Sequence, residues 1–110
     1  MTTQLRKGVF EICVLTLVNN QDMYGYEIME TISRVMVVKE STIYPVLRRL
    51  TAEGYFDTYM RKSEEGPDRK YYRITLSGQE KLKIMISEWE QFVGDVNSIL
   101  SIYRRSEGSE

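Results

Sequence analysis

The stretch Ser41-Thr-Ile-Tyr-Pro-Val-Leu-Arg-Arg-Leu-Thr-Ala-Glu-Gly-Tyr-Phe56 decides the fold, because it contains a helix start, a helix stop and two distinct faces. Ser41 or Thr42 can cap the N-terminus of a helix, and Gly54 stands where a glycine ends one. If Thr42 is the cap, Pro45 costs no hydrogen bond; if Ser41 is the cap, the first bond is lost. We therefore predict a short helix that ends before Gly54.

This predicted helix has an apolar stripe and an opposite polar face when its residues are spaced by about 100° each. The stripe consists of Ile43, Val46, Leu47 and Leu50. The opposite side carries Thr42, Pro45, Arg48, Arg49 and Ala52, with Tyr44 on the flank. Arg48 and Arg49 therefore lie outside. On its own an exposed arginine pair indicates only a solvated surface, so its meaning depends on the neighbouring elements.

Two helices are predicted before this stretch. Leu5–Val18 is apolar around most of its circumference, so it needs to be covered on more than one side. Tyr24–Ser33 is amphipathic, and Asp22 is its predicted N-cap. Val35–Val38 is rich in β-branched residues and is predicted to form a short strand.

A β-hairpin and a long helix are predicted after it. Tyr55–Lys62 and Lys70–Thr75 alternate in the manner of strands around the turn 63–69, which contains Gly-Pro. Thr75 or Ser77 caps the last helix, and Ser77 would form a capping box with Glu80.

The last helix carries apolar residues spaced alternately by three and four, which is a heptad seam. Such a seam and the doubly apolar first helix both need a partner, and a symmetric dimer supplies one. The predicted interface consists of Phe10, Val14, Leu82, Met85, Trp89, Phe92, Val96, Ile99, Leu100 and Tyr103. The polar tail Arg104–Glu110 is expected to fray.

The order helix, helix, short strand, helix, hairpin, helix is that of a winged helix-turn-helix. The predicted fold class is mainly α (α+β), with an N-terminal helix and a long C-terminal dimerisation helix. Residues 1–76 would form the DNA-binding domain, and residues 77–110 the dimerisation helix with a short polar tail.

The composition argues against catalysis. The chain of 110 residues has no histidine, one cysteine and a net charge of −1, so it lacks the residues of a His-based or thiolate metal site. Its glycines form no phosphate-binding loop. We expect no enzyme activity, no cofactor, no metal and no membrane span, and a cytoplasmic location.

Several motifs resemble the PadR family of bacterial transcriptional regulators, in the short form with a single C-terminal dimerisation helix. These are Leu5-Arg-Lys-Gly8, Met23-Tyr-Gly-Tyr-Glu-Ile28, Ser41–Leu50 with Glu53-Gly54, and Gly66–Thr75 with Gly78. The resemblance covers about residues 5 to 90. It implies a homodimeric winged-helix repressor of pseudo-palindromic promoter DNA, often relieved by small aromatic or drug-like molecules.

Nine residues are predicted to contact double-stranded DNA. A helix that enters the major groove N-terminus first would place Thr42, Tyr44 and Arg48 near base edges, and Arg49 near a phosphate. One of the two tyrosines beside Gly25 is expected in the core and the other at a phosphate. The complete set is Tyr24, Tyr26, Thr42, Tyr44, Arg48, Arg49, Lys62, Arg69 and Lys70. The alternative is a protein–protein module whose basic face docks an acidic partner, and a weaker one is a sequestering drug-binding dimer.

The same resemblance implies a ligand site at the dimer interface. Trp89 matches a tryptophan that lines the cavity of multidrug-responsive members, and Glu11, Met85 and Val93 match neighbouring pocket positions. A carboxylate on an apolar helix needs a partner or a wet cavity, so Glu11 favours a planar, cationic aromatic effector. The alternative is that Trp89 is plain interface core.

Overall fold

The structure, a computed structural model, describes residues 3–108, with side chains from residue 8 onward. Its elements are α1 (Thr3–Asn20), β1 (Met23–Tyr24), α2 (Gly25–Ser33), α3 (Glu40–Ala52), β2 (Phe56–Arg61), β3 (Arg69–Ile74) and α4 (Leu76–Gly108). The three strands form an antiparallel sheet in the order β1-β3-β2. The fold is the predicted winged helix-turn-helix of the α+β class, and its hairpin pairs Phe56 with Ile74 through Arg61 with Arg69.

The apolar stripe of α3 is the centre of the core. Ile43, Val46, Leu47 and Leu50 are all buried, as predicted. Phe10, Val14, Leu15 and Val18 of α1, Ile28 and Ile32 of α2, and Phe56 and Tyr72 of the sheet close around them. Burying a side chain of this size contributes roughly 1.5–3 kcal/mol.

The end of α3 follows the prediction, but its start does not. Gly54 has φ +83°, its N–H donates to the Thr51 carbonyl at 3.0 Å, and the Tyr55 N–H donates to Leu50 at 2.9 Å. These are the two bonds of a Schellman motif. The N-cap is Lys39, and neither Ser41 nor Thr42, because acidic Glu40 already occupies the first turn. Pro45 therefore lies inside the helix and cannot donate to the Ser41 carbonyl.

Two predictions before α3 are wrong. Asp22 does not cap α2, because Met23 and Tyr24 must stay extended to pair with Tyr72 and Tyr71 of β3. The helix begins after them, and the Glu27 carboxylate accepts the Tyr24 backbone N–H at 3.1 Å. Residues 35–38 form no strand either, since β1 occupies that side of β3.

Thr75, and not Ser77, caps α4. Its hydroxyl accepts the Gly78 N–H at 3.0 Å, so the third residue of the helix is Gly78. The predicted capping box of Ser77 with Glu80 is therefore not formed. A β-carbon at Gly78 would overlap the Tyr55 carbonyl oxygen and the Ile74 side chain. The close approach of backbone to backbone fixes the start of α4 against the turn that precedes β2.

α4 is 33 residues long and gives the protomer its extents of 64 × 28 × 22 Å. Leu82 is buried in the core, whereas Phe92, Ile99 and Tyr103 farther along are exposed. The predicted fraying from Arg104 is not seen, because the helix continues to Gly108; the final two residues lie outside the described part of the chain.

Candidate nucleic-acid interface

A concave surface of about 270 Å³ lies where the start of α2, the start of α3 and β3 meet. Five of the nine predicted DNA-contacting residues line it together with Gly25 and Tyr72: they are Tyr24, Tyr26, Tyr44, Arg69 and Lys70. Gly25 leaves room for the Tyr44 ring, which a β-carbon at this position would approach to 2.8 Å and displace. The sequence motif Tyr-Gly-Tyr thus lets the Tyr44 ring of α3 lie directly against α2.

The two arginines of α3 have different surroundings. Arg48 is exposed and lies close enough to Tyr72 to influence its ionisation. Arg49 is turned toward α1, where its guanidinium donates to the Glu11 carboxylate and both side chains are mostly shielded from water. Since Arg49 is already held by a carboxylate, the geometry favours Arg48 for a contact beyond the protein.

The phenols beside Arg48 stay protonated at neutral pH. Burial raises the pKa of Tyr72, and the Tyr44 phenol adds to this rise while Arg48 opposes it. Burial followed by the charge of Glu40 raises the pKa of Tyr44. Both hydroxyls are therefore neutral hydrogen-bond donors, which suits contact with phosphate oxygens or base acceptors.

Neither tyrosine beside Gly25 enters the core, contrary to prediction. Met23, which precedes them, is buried instead. Tyr24 is half-buried with its ring under the Arg69 guanidinium, 4.5 Å from centroid to carbon, and Tyr26 is 56% exposed. The alternation of β1 explains this, because it turns Met23 inward and Tyr24 outward.

The remaining predicted contacts stand on either side of the concavity. Thr42 is half-buried on α3, and Lys62 is exposed immediately after β2. Lys62 opens the loop 62–68, which also carries Glu64, Glu65 and Asp68. Tyr72, which the sequence analysis did not select, belongs to the surface because β3 turns it toward α3; its place in Lys-Tyr-Tyr-Arg gave no sign of which tyrosine faces inward.

A second concavity, an apolar groove of about 390 Å³, lies between α1 and α4 and is called here the α1–α4 groove. Its lining residues are Gly8, Val9, Ile12, Met85, Glu88, Trp89 and Phe92. Trp89 and Phe92 stand side by side there, with ring centroids 6.4 Å apart.

Of the four predicted ligand-binding residues, Met85 and Trp89 line this groove and the other two do not. Glu11 points away toward Arg49, which satisfies its carboxylate, and Val93 lies outside the lining. The carboxylate in the groove belongs to Glu88. Glu88 stands beside the apolar seam and not on it, so the heptad spacing gave no sign of its place in the groove.

The seam of α4 is largely uncovered in the protomer. Trp89, Phe92, Val96, Ile99, Leu100 and Tyr103 are 38–68% exposed. The predicted interface needs a correction at Phe10, Val14 and Leu82, which the protomer buries in its own core, so little of their surface remains for a partner.

The described part of the chain offers neither a membrane-spanning helix nor a cluster of metal ligands. No helix there is both long and apolar enough to cross a membrane. Nor do three or more histidine, cysteine or acidic side chains come together there in a group able to hold a metal ion.

The chain is similar in sequence to known proteins. Residues 14–84 match the model of the transcriptional regulator PadR-like family. A Lysinibacillus sphaericus protein of uncharacterized function is 33% identical over 101 residues, covering 88% of this chain and 89% of that protein.

Solved structures agree with the family match. A Streptococcus mutans protein superimposes with a TM-score of 0.80 at 36% identity, covering 86% of this chain and 89% of the other. A PadR-like transcriptional regulator from Bacillus cereus superimposes with a TM-score of 0.78 at 35% identity, covering 88% and 96%.

Proposed function

Because the chain belongs to the PadR-like family of transcriptional regulators, we propose that it is a homodimeric, ligand-responsive repressor that binds pseudo-palindromic promoter DNA. The observation that carries this proposal is the concavity between α2, α3 and β3, with the exposed Arg48 beside it. A repressor of promoter DNA acts where the chromosome lies, so the proposed location is the cytoplasm.

The proposed contact follows from the exposed face of α3. That helix would enter the major groove with its N-terminal turns first, so that Thr42 and Tyr44 approach the bases or nearby phosphates. Arg48 has the fork of donors that binds guanine O6 and N7 together. Arg49 instead orients α3 through Glu11, because its guanidinium is engaged there.

The wing would position the protein on the duplex. Lys62, Arg69 and Lys70 are exposed around the hairpin and would contact phosphates, which sets register without reading sequence. The acidic residues Glu64, Glu65 and Asp68 would repel the DNA backbone. The contact therefore involves the strand ends and the adjoining loop residue, and not the tip of the loop.

Dimerisation would cover the exposed seam of α4 and present α3 twice. A two-fold dimer matches a pseudo-palindromic site, since each half-site meets one copy of the same helix. The α1–α4 groove would hold the effector. Trp89 and Phe92 offer a flat aromatic wall, and Glu88 supplies a negative charge, which together suit a planar aromatic cation.

The DNA-binding proposal is tested by Arg48→Ala in a gel shift on the promoter of the chain's own gene, over a range of salt concentrations. The substitution removes one contact from each subunit of the dimer, which is expected to weaken binding at least about tenfold and, if the contacts are to phosphates, to lower the salt slope by about 2. Lys83→Ala is the matched control, because Lys83 is an exposed cation on α4 outside the concavity.

Equal affinity of the wild-type protein, Arg48→Ala and Lys83→Ala for the promoter fragment would contradict the proposal. Absence of any salt-dependent binding by the wild-type protein would favour the protein–protein module in its place. Dimer mass, measured by light scattering on all three proteins, shows that the comparison is made between intact dimers.

A further inference from the structure

The face of the sheet that points away from the core carries three tyrosines and three arginines. Side chains alternate along a strand, so the residues across from one another on β1, β3 and β2 share a face. Tyr24 pairs with Tyr71, Tyr71 with Tyr59, and Arg69 with Arg61. We call this surface the Arg–Tyr face; its residues are Tyr24, Tyr59, Arg61, Arg69, Tyr71 and Arg73.

Rings and guanidinium groups are ordered against one another on the Arg–Tyr face. Tyr59 and Tyr71 stack with centroids 5.6 Å apart, and Tyr24 lies tilted beside Tyr71 at 5.5 Å. The Arg61 guanidinium lies 5.3 Å from the Tyr71 centroid, and Arg73 lies 5.4 Å from that of Tyr59. With Arg69 over Tyr24, each ring carries one guanidinium, so the arginine donors are held in place before any partner arrives.

The positive charge of this face is only partly offset: Asp57 stands opposite Arg73, but Arg61 and Arg69 have no acidic cross-strand partner in the described part of the chain. All three arginines are exposed, and none of them forms an ion pair there. Arg61 and Arg69 are direct cross-strand partners, an arrangement in which like charges destabilise a sheet. An anion between them would remove that cost.

The acidic residues around the Arg–Tyr face indicate which kind of anion this face can bind. Asp22 accepts the Tyr59 hydroxyl at 2.6 Å, and Asp57 stands opposite Arg73 in the pairing with β3. Glu64, Glu65 and Asp68 follow at the tip. A nucleic acid backbone, charged at every step, would meet repulsion at both ends of this face. Its rings are also half-buried and each already faces a guanidinium group, which leaves less room for bases to stack.

An acidic protein segment differs from a nucleic acid backbone, because its carboxylates can be spaced so that they meet the arginines and avoid the neighbouring acids. We propose that the Arg–Tyr face is a docking surface for an acidic segment of another protein, with one carboxylate held between Arg61 and Arg69 and another held by Arg73. Arginine forks bind carboxylates through paired hydrogen bonds, and the tyrosine hydroxyls add donors, as Tyr59 already does for Asp22. Of the six residues only Tyr24 and Arg69 also line the concavity, so docking is separable from operator binding.

The test is fluorescence anisotropy with a labelled 12-residue peptide of alternating glutamate and threonine. The double variant Arg61→Ala/Arg73→Ala is expected to bind this peptide at least about tenfold more weakly than the wild-type protein, while retaining operator affinity. The matched control is Arg104→Ala/Arg105→Ala, which removes the same charge from the exposed end of α4. This control is expected to bind the peptide as the wild-type protein does.

Equal peptide binding by both double variants would overturn the proposal, because the attraction would then be general electrostatics. The proposal would also be overturned, in favour of nucleic acid, by a second result. This is that Arg61→Ala/Arg73→Ala weakens binding of a single-stranded DNA or a non-operator duplex more than it weakens binding of the peptide. Loss of operator binding in Arg61→Ala/Arg73→Ala alone would assign these arginines to the operator interface and refute a separate docking face.

Discussion

At the α1–α4 groove, the single residue Glu88 determines which charge of ligand is favoured. It is the charged member of a lining that is otherwise apolar or aromatic, next to Trp89. A carboxylate in such surroundings favours a cationic ligand over a neutral one of the same shape, because the aromatic walls also attract positive charge. The ligand class proposed above therefore depends on this single side chain.

We predict that an acridinium dye quenches Trp89 fluorescence and that Glu88→Gln weakens the dye's affinity about tenfold. A tenfold loss of affinity corresponds to about 1.4 kcal/mol, which is the scale of one charge-assisted contact. The measurement is a fluorescence titration in the absence of DNA. Glu90→Gln, on the same helix but outside the groove, is the control.

Unchanged dye affinity in Glu88→Gln would show that the groove does not select charge. Absence of quenching in the wild-type protein at dye concentrations near solubility would mean that Trp89 serves only the interface.

Glu11 and Arg49 illustrate what residue-scale reasoning from sequence could and could not find. A carboxylate on an apolar helix indicated that a partner was needed, and a partner exists. The partner's identity was out of reach, because the two residues are 38 positions apart and meet only when α1 crosses α3. Because of the same crossing, Arg49 contacts α1, whereas Arg48, its neighbour in sequence, is exposed.

At the scale of elements, the ion pair between Glu11 and Arg49 connects α1 with α3. Glu11 is next to Ile12, which lines the α1–α4 groove, and Arg49 is next to the exposed Arg48. The pair is therefore a positioning contact between the helix beside the proposed effector site and the helix proposed to enter DNA.

We predict a coupling free energy of about 1 kcal/mol between these two side chains in a double-mutant cycle. The variants are Glu11→Gln, Arg49→Gln and the double variant, and the measurement is their free energy of unfolding in urea at one protein concentration. A pair this shielded from water should exceed the few tenths typical of exposed pairs. The Arg34–Glu30 pair, which is exposed, gives the control cycle.

Additive effects of Glu11→Gln and Arg49→Gln, within the error of the control cycle, would contradict a positioning role. In that case Arg49 would be available for the phosphate contact that the sequence analysis assigned to it.

Element boundaries were predictable where a local rule decides them. Gly54 ends α3 because the left-handed conformation favours glycine, and the four apolar residues of α3 follow helical spacing. The starts of α2 and α4 depended on contacts with distant parts of the chain. Met23 is a strand residue only because Tyr72 lies beside it, and Thr75 caps α4 where the backbone also approaches Tyr55.

At the scale of the whole molecule, the uncovered seam of α4 is the main feature. About half of this helix extends beyond the core with apolar side chains exposed, which a protomer in water does not favour. The DNA-contacting surface of one protomer is thus only half of the surface proposed for the dimer.

We predict that Ile99→Glu raises the dimer dissociation constant on the order of 100-fold. Two buried, unpaired carboxylates per interface would oppose association, whereas the protomer fold is unaffected because Ile99 is 68% exposed. Sedimentation velocity over a concentration series measures this. Ile84→Glu is the matched control, since Ile84 is an exposed isoleucine of the same helix outside the heptad seam.

A protein that stays monomeric at all concentrations, or equal dissociation constants for Ile99→Glu and Ile84→Glu, would contradict the seam as the interface. Circular dichroism of the variants separates loss of dimer from loss of fold.

The composition of the seam has a genetic consequence. Its positions from Leu82 to Tyr103 are apolar or aromatic throughout, with no buried asparagine or lysine of the kind that restricts a coiled-coil helix to one partner. Wild-type and variant subunits share this seam and would form mixed dimers, so a copy that folds but binds DNA weakly would capture normal subunits. An Arg48→Ala allele is expected to be dominant over the wild-type allele in a cell that carries both, so that repression fails even though half of the protein is intact.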